Sequence, residues 1–251
     1  MTPHLSLVIP VFNEEGNLTP LLTGAVRVLE ATRREFEIIL VNDGSTDGTA
    51  DEIAACRQRW PQCREVRRER RGGQAAALFA GLQAARGEIF ITMDGDGQND
   101  PADVPALLEP VESGQLDVAC GWRQNRHDTR VRRVMSRFAN TVRRRVLNDR
   151  VHDAGCQLRV MRREILGALY PMELMQSFLP ALAVSAGFRV GERPVRHHPR
   201  QRGESKFGLG RLWWRPAVAM LGLRWRMWRR RAPGARRQPP GKPPTRGVGN
   251  A

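Results

Sequence analysis

Four stretches of the chain are nearly continuous apolar runs rich in β-branched residues: "LSLVIPVF" (5–12), "FEIILVND" (36–43), "EIFITMD" (88–94) and "LDVACGWR" (116–123). A strand with one wet face alternates apolar and polar residues, whereas an unbroken run is covered on both faces, as in a parallel sheet. Between these runs the periodicity changes to that of helices, over about 17–33, "ADEIAACRQRW" (50–60), "GQAAALFAGLQAARG" (73–87) and "PADVPALLEPVESG" (101–114). Ser45, Thr46 and Asp47 are candidate caps for the second helix, and Pro101 suits the first turn of the fourth. Strands alternating with helices predict an α/β protein with a single, mostly parallel, Rossmann-like sheet flanked by helices.

In such a sheet ligands bind outside the carboxyl ends of the strands. Here those ends carry Asn13-Glu14, Asn42-Asp43, Asp94 with Asp96, and Trp122-Arg123. The second half is less regular. "RVRRVMSRFANTVRRRVL" (130–147) reads as a basic amphipathic helix, "CQLRVM" (156–161) and "FRVGERPVRH" (188–197) as strands, and "FLPALAVSAG" (178–187) as a helix between them.

Charge divides the chain unevenly. The formal net charge is +15, yet from Arg200 onward there are 14 Lys/Arg and one acid, Glu204, leaving 27 basic and 25 acidic residues before it. A basic end of this kind points to a polyanionic partner, nucleic acid or an anionic membrane surface. The apolar stretch "LWWRPAVAMLGLRWRMW" (212–228) is interrupted by Arg215, Pro216, Arg224 and Arg226, so it reads as an interfacial amphipathic segment and not as a span. Its tryptophans and arginines suit the headgroup boundary, and the plain alternative is a helix packed on the catalytic domain with its tryptophans in the core. The Pro, Gly and Arg content from 232 predicts a disordered tail. This gives three parts: a catalytic domain over 1–208, a membrane-interface segment over 209–231 and the tail over 232–251. Four cysteines without CxxC spacing, and no signal-like run at the start, predict a reduced cytoplasmic protein with structural thiols.

The candidate chemistry sits in "ITMDGDGQNDP" (91–101). Two aspartates in D-x-D spacing at a strand tip supply hard oxygens for one Mg²⁺ or Mn²⁺, leaving positions open for a substrate phosphate, and Gln98 can add an amide oxygen. The plain alternative is a set of helix caps before Pro101, which fits Asp100 but comes too late in the chain to explain Asp94 and Asp96. "VNDGSTDGT" also reads as a turn and capped helix, "RRGGQAAA" as a glycine turn without a P-loop lysine, and "RGESKFG" as a solvated basic loop that can close on phosphates.

Taken in order, "VIPVFNEE", "VNDGSTDGT", "RRGGQAAALFAGLQAARGE", "TMDGDGQNDP", "GWR", "CQLRVMRRE" and "PVRHHPRQRGESKFG" resemble the family 2 glycosyltransferases, and within them the polyprenyl-phosphate group similar to dolichyl-phosphate mannose synthase, from Leu5 to Gly208. The resemblance implies a GT-A fold. It implies inverting transfer of a sugar from a nucleotide diphosphate sugar, UDP- or GDP-linked, to a polyprenyl phosphate, for cell-envelope glycans, by a protein peripheral to the inner face of the membrane. Carried over by motif, Pro10, Phe12, Glu14, Val41, Asp43, Asp94 and Gly95 bind the donor, and Asp96 and Gln98 hold Mg²⁺ or Mn²⁺. Arg123 lies near the sugar and phosphates, Arg132 and Ser136 of "RRVMS" take the acceptor phosphate, and Arg202 and Lys206 close on the donor phosphates; Asp153 is the reserve base. Two positions depart from the family pattern: Gly97 replaces a small apolar residue, and Cys156-Gln157-Leu158-Arg159 replaces a "CGFR"-like strand. Relatives often continue into transmembrane helices, and no such helix is legible here. A soluble or saccharide acceptor is the alternative within the family. Nucleic-acid binding by the basic tail is the alternative outside it, without a supporting motif.

Overall fold

The computed structural model describes residues 3–123, 140–149, 151–199, 220 and 222–224. Its strands are β1 (Leu5–Val11), β2 (Phe36–Asn42), β3 (Cys63–Arg67), β4 (Ile89–Thr92), β5 (Val118–Arg123), β6 (Arg159–Arg162) and β7 (Val190–Val195). Its helices are α1 (Leu18–Ala31), α2 (Thr49–Arg59), α3 (Gln74–Ala84), α4 (Val104–Glu112) and α5 (Met175–Ser185), with a further helical run over 140–147. The strands form one sheet in the order β3-β2-β1-β4-β6-β5-β7. The pairs β1–β2, β2–β3, β1–β4 and β5–β7 are parallel, and β6 runs antiparallel to both β4 and β5. The sheet is therefore mostly parallel, as the apolar runs predict, with one reversed strand that joins its two parallel parts.

Successive residues of each strand supply opposite faces. Leu7 and Ile9 of β1 and Ile38 and Leu40 of β2 meet α1, α2 and α4 in one apolar layer, while Val8, Ile39 and Val41 meet α3 and α5 in the other. In α1 the buried positions Leu18, Leu21, Leu22, Ala25, Val26 and Leu29 recur at helical spacing, which is why this segment folds as an amphipathic helix against the sheet. Emptying the fully buried Leu22 to alanine is expected to cost about 2–5 kcal/mol.

The strand the hydropathy pattern misses is β3. Its sequence, CREVR, holds only Cys63 and Val66 as apolar residues, because it is a short edge strand, where charged side chains are tolerated and even protective. The other strands, and the helices between them up to α4, lie within a few residues of their predicted positions, whereas of the helix expected over 130–147 only 140–147 is described, and residues 130–139 lie outside the described residues. The fourth helix opens with a 3₁₀ turn at Pro101–Asp103, and α5 begins at Met175, ahead of the predicted 178. Of the three capping candidates before α2, Asp47 accepts a hydrogen bond from Thr49 N at 3.1 Å.

At the amino ends of the strands, Glu37 is buried to 3% exposure but fully matched. Ser6 Oγ and Arg86 N donate to its Oε1, each at 2.7 Å, and Arg64 Nε and Arg86 Nε donate to its Oε2 at 2.7 and 3.2 Å. Burial pushes its pKa up, and the hydrogen bonds and charge of these partners outweigh that, leaving it below the usual value.

The expected interface segment 209–231 is described only at 220 and 222–224, which are helical. There Leu223, 1% exposed, joins the apolar layer that includes Leu147 and α5, and Arg224 donates to the carbonyl of Val146. This part of the segment packs on the domain. The tail 232–251 lies outside the described residues. No described helix is long and apolar enough to cross a membrane.

Candidate active site

The loops following β1, β2 and β4 meet at the carboxyl edge of the sheet. Asn13, in the left-handed region at φ 52°, turns the chain after β1. Its amide N–H donates to Ser45 Oγ at 3.1 Å, and its side-chain oxygen accepts from Thr46 N at 2.9 Å, lacing the first loop to the second. Glu14 is nearly buried; Thr49 Oγ1 accepts from its N–H at 2.8 Å, and its carboxylate accepts from Asn17 Nδ2 at 2.9 Å.

Asp43 organises the loop that enters α3. Its Oδ1 accepts from Arg68 Nη1 at 2.8 Å and Gly72 N at 2.9 Å, and its Oδ2 from Gly73 N at 2.7 Å. Gly73 has φ 86°, a conformation that glycine reaches without a Cβ penalty, and this turns its N–H toward the carboxylate. The glycine turn read in "RRGGQAAA" is thus a backbone cradle for the aspartate that follows strand β2. Beside it, the Arg71 guanidinium lies 4.0 Å from the centre of the Phe12 ring.

At the end of β4, Gln74 Nε2 donates to Asp94 Oδ1 at 2.6 Å. Burial first, and then the negative charge of Asp96, push the Asp94 pKa up to about 7, against the opposing pull of Arg123, Arg159 and the Gln74 hydrogen bond. Asp96, 6% exposed, accepts from Gln98 N at 3.1 Å through Oδ1. Gly97 has φ 72°, so the turn between Asp96 and Gln98 favours glycine and accounts for the departure noted at this position. Gly95 packs against β1, where a Cβ would come within 2.9 Å of Val11 Cγ1.

Asp100 caps the following turn, its Oδ1 accepting from Ala102 N at 2.9 Å, as the plain reading predicts. It also faces Arg196 and His198 across 3.1 Å each. These contacts come from the loop after β7, which is tied to the acidic tip by a bridge between Asn99 and His197 and by His198 N donating to Gln98 O at 2.9 Å. Two stretches a hundred residues apart in the chain therefore adjoin, and the loop whose His198 meets Gln98 continues in the sequence toward Arg202 and Lys206. Arg202 and Lys206 themselves, and Arg132 and Ser136, lie outside the described residues.

Arg123 ends β5 and is held by Asp153 in a bidentate pair, Nε to Oδ2 at 2.7 Å and Nη2 to Oδ1 at 3.0 Å. Asp153 is thus engaged and is not poised as a free base. Pro10 is partly exposed on β1. Val41 departs from expectation: its side chain is fully buried against α3, with Leu78 and Leu82 in the same layer, so it supports the site from below and offers no surface to a ligand. Four residues escaped the sequence reading as site components: Gln74, Arg68, Gln176 and Arg159. Only Arg159, a charge inside an apolar strand pattern, carried a local signal.

Among the described residues no group of three or more His, Cys, Asp and Glu side chains is arranged to hold a metal. The smaller set fits a hard cation on chemical grounds. The negative charge of Asp96, two residues away, helps raise the Asp94 pKa, and a divalent ion relieves that repulsion while leaving positions for phosphate oxygens.

The sequence profile described as Glycosyl transferase family 2 matches residues 6–169. The chain is 39% identical over 212 residues to the dodecaprenyl-phosphate galacturonate synthase of Rhizobium johnstonii, covering 83% of this chain and 63% of that protein. It is 38% identical over 210 residues to the undecaprenyl-phosphate 4-deoxy-4-formamido-L-arabinose transferase of Edwardsiella ictaluri, covering 83% and 64%. The chain thus spans less than two thirds of the length of these relatives. Among solved structures it resembles glucosyl-3-phosphoglycerate synthase from Mycobacterium tuberculosis in complex with Mn²⁺, UDP and phosphoglyceric acid. The TM-score is 0.69 at 24% identity, covering 88% of this chain and 78% of that one.

Proposed function

Because the chain belongs to glycosyl transferase family 2 and has its GT-A fold, we propose that it transfers a sugar, with inversion, from a UDP- or GDP-linked donor to a polyprenyl phosphate. The observation that carries the reading is the acidic tip itself: Asp94 and Asp96 at a strand end, adjoined through Gln98 by the loop that leads to Arg202 and Lys206. The relatives named above, a dodecaprenyl-phosphate galacturonate synthase and an undecaprenyl-phosphate 4-deoxy-4-formamido-L-arabinose transferase, support the choice of acceptor.

Breaking a nucleotide-sugar bond leaves negative charge on the diphosphate, so a catalyst must stabilise that charge as it develops. Asp96 and Gln98 would hold Mg²⁺ or Mn²⁺, which when bound supplies Lewis-acid stabilisation of the leaving diphosphate. Arg202 and Lys206 add positive charge from the late loop. Pro10, Phe12, Glu14, Asp43, Asp94 and Gly95 form the donor side, with Asp43 acting through the Arg68–Gly73 turn that it holds together.

A phosphate acceptor has a second pKa of roughly 6 and is already largely anionic at neutral pH, so it attacks without a general base. The bidentate engagement of Asp153 by Arg123 agrees with that economy. Arg132 and Ser136 then bind the acceptor phosphate, and the basic end of the chain holds the protein at the inner face of an anionic membrane.

The test is a panel of UDP- and GDP-sugars incubated with polyprenyl phosphate and Mn²⁺ or Mg²⁺, scored for lipid-linked product. Product from the wild type that vanishes with a chelator and with Asp96→Asn supports the reading. Product formed only on a soluble acceptor would refute the lipid assignment, and unchanged turnover by Asp96→Asn would refute the metal assignment.

A further inference from the structure

Behind the acidic tip runs a chain of polar side chains that the donor and metal assignments leave unused. Gln74, the first residue of α3, donates to Asp94, and its own carbonyl oxygen accepts from Gln176 Nε2 at 3.4 Å. Gln176 stands in the first turn of α5, and its backbone oxygen accepts from Arg159 Nη1 at 2.6 Å. Gln157 flanks the same strand end, its backbone oxygen accepting from Thr92 Oγ1 at 2.7 Å.

Gln176 is 4% exposed, Gln157 7% and Arg159 0%. Groups so deeply placed are ordinarily satisfied, because an unmatched polar atom has lost water and gained nothing. Yet Gln176 Oε1, Gln157 Oε1 and Arg159 Nε have no hydrogen-bond partner among the described residues. The chain is also bent to deliver Gln176: Leu174, just before α5, sits in the left-handed region at φ 61°, held by Ser177 N and Phe178 N on its carbonyl at 2.8 and 3.2 Å. A branched side chain in that region is strained, and such strain is concentrated at ligand sites.

Two of these three unsatisfied atoms are amide oxygens, which are acceptors, and Gln176 is linked through Gln74 to a further acceptor, the Asp94 carboxylate. Such a set repels phosphate and calls for a ligand with several O–H donors. Resting on the glycosyltransferase reading above, we propose that Gln74 and Gln176, with Asp94, read the hydroxyl groups of the transferred sugar, and that Gln176 is a specificity-determining residue for that sugar. A site built to hydrogen-bond a hydroxyl discriminates against donors that lack or invert it, since its buried groups are then left unpaired.

Calorimetry on the full chain with Mn²⁺ tests this by comparing Kd for UDP and GDP with Kd for the matching nucleotide sugars. Gln176→Leu keeps the volume and removes the amide. The affinity gained from the sugar, taken as the ratio of the two Kd values, is expected to fall about tenfold, the scale of one or two lost hydrogen bonds. Gln74→Leu, at the more exposed end, is expected to lower the same ratio and serves if Gln176→Leu does not fold. With a wild type that binds both ligands, a ratio left unchanged by the substitutions, as when nucleotide and nucleotide sugar lose affinity equally, would overturn the assignment alone. A wild type that binds neither overturns the glycosyltransferase reading, and this inference with it.

Discussion

Glu37 and Asp94 are both recessed carboxylates in one sheet, at opposite edges. At the amino edge Glu37 receives four hydrogen bonds from Ser6, Arg64 and Arg86, and its pKa lies below the usual value. At the carboxyl edge Asp94 has, among the described residues, one side-chain donor, Gln74, and a like-charged neighbour, Asp96, and its pKa rises to about 7. The first arrangement is what stability favours, a buried charge with its partners in place. The second leaves charge and hydrogen-bonding capacity unspent, which is a cost to the fold and a resource for binding.

The sharpest way to break this comparison is to neutralise each carboxylate and read both activity and melting temperature. Asp94→Asn and Asp96→Asn are expected to lower transfer on the order of 1,000-fold, the scale of lost electrostatic stabilisation at a reacting centre. Asp94→Asn is also expected to melt no lower than the wild type, because it removes a charge that burial disfavours. A fall in melting temperature comparable to that of Glu37→Gln would mean that Asp94 is structural after all.

Next in size is Glu37→Gln, which leaves Arg64 and Arg86 without their counter-charge. We expect a loss of about 3 kcal/mol, read as a drop in melting temperature of roughly 6–12 °C, with activity per folded molecule retained. The pH dependence sharpens it further. Since the folded pKa of Glu37 is lowered from its ordinary 4.5, its contribution is complete above that value and is lost as pH falls through the folded pKa. Urea midpoints of wild type and Glu37→Gln should therefore converge as pH falls below about 4.5, and a gap that widens on acidification would contradict the assignment.

The smallest effect belongs to Asp100, which shares the acidic stretch with Asp94 and Asp96 but caps a turn. Asp100→Ala should cost about 1 kcal/mol and leave the metal dependence of transfer as it was. If Asp100→Ala were instead to weaken metal activation as strongly as Asp96→Asn, the division of the stretch into two chemical aspartates and one cap would fail.

The sequence by itself determined the parallel core, the helices between its strands and the edge at which polar residues gather. Those properties follow from periodicity and from turn residues, which act over a few neighbouring positions. It also separated Asp100 from Asp94 and Asp96, because capping depends on distance along the chain to Pro101. Only the tertiary structure decided the rest. That Val41 supports the site without facing it, that Asp43 serves the turn before α3, and that Asp153 is bound by Arg123 all depend on contacts between distant segments. The same holds for Gln74 and Gln176, 102 positions apart, whose meeting at Asp94 no local pattern encodes. A short-range rule can place a side chain on a strand or at a helix start. What that side chain finds there is set by the packing of the whole sheet against its helices, which alone fixes what each polar atom is bonded to and which are left free.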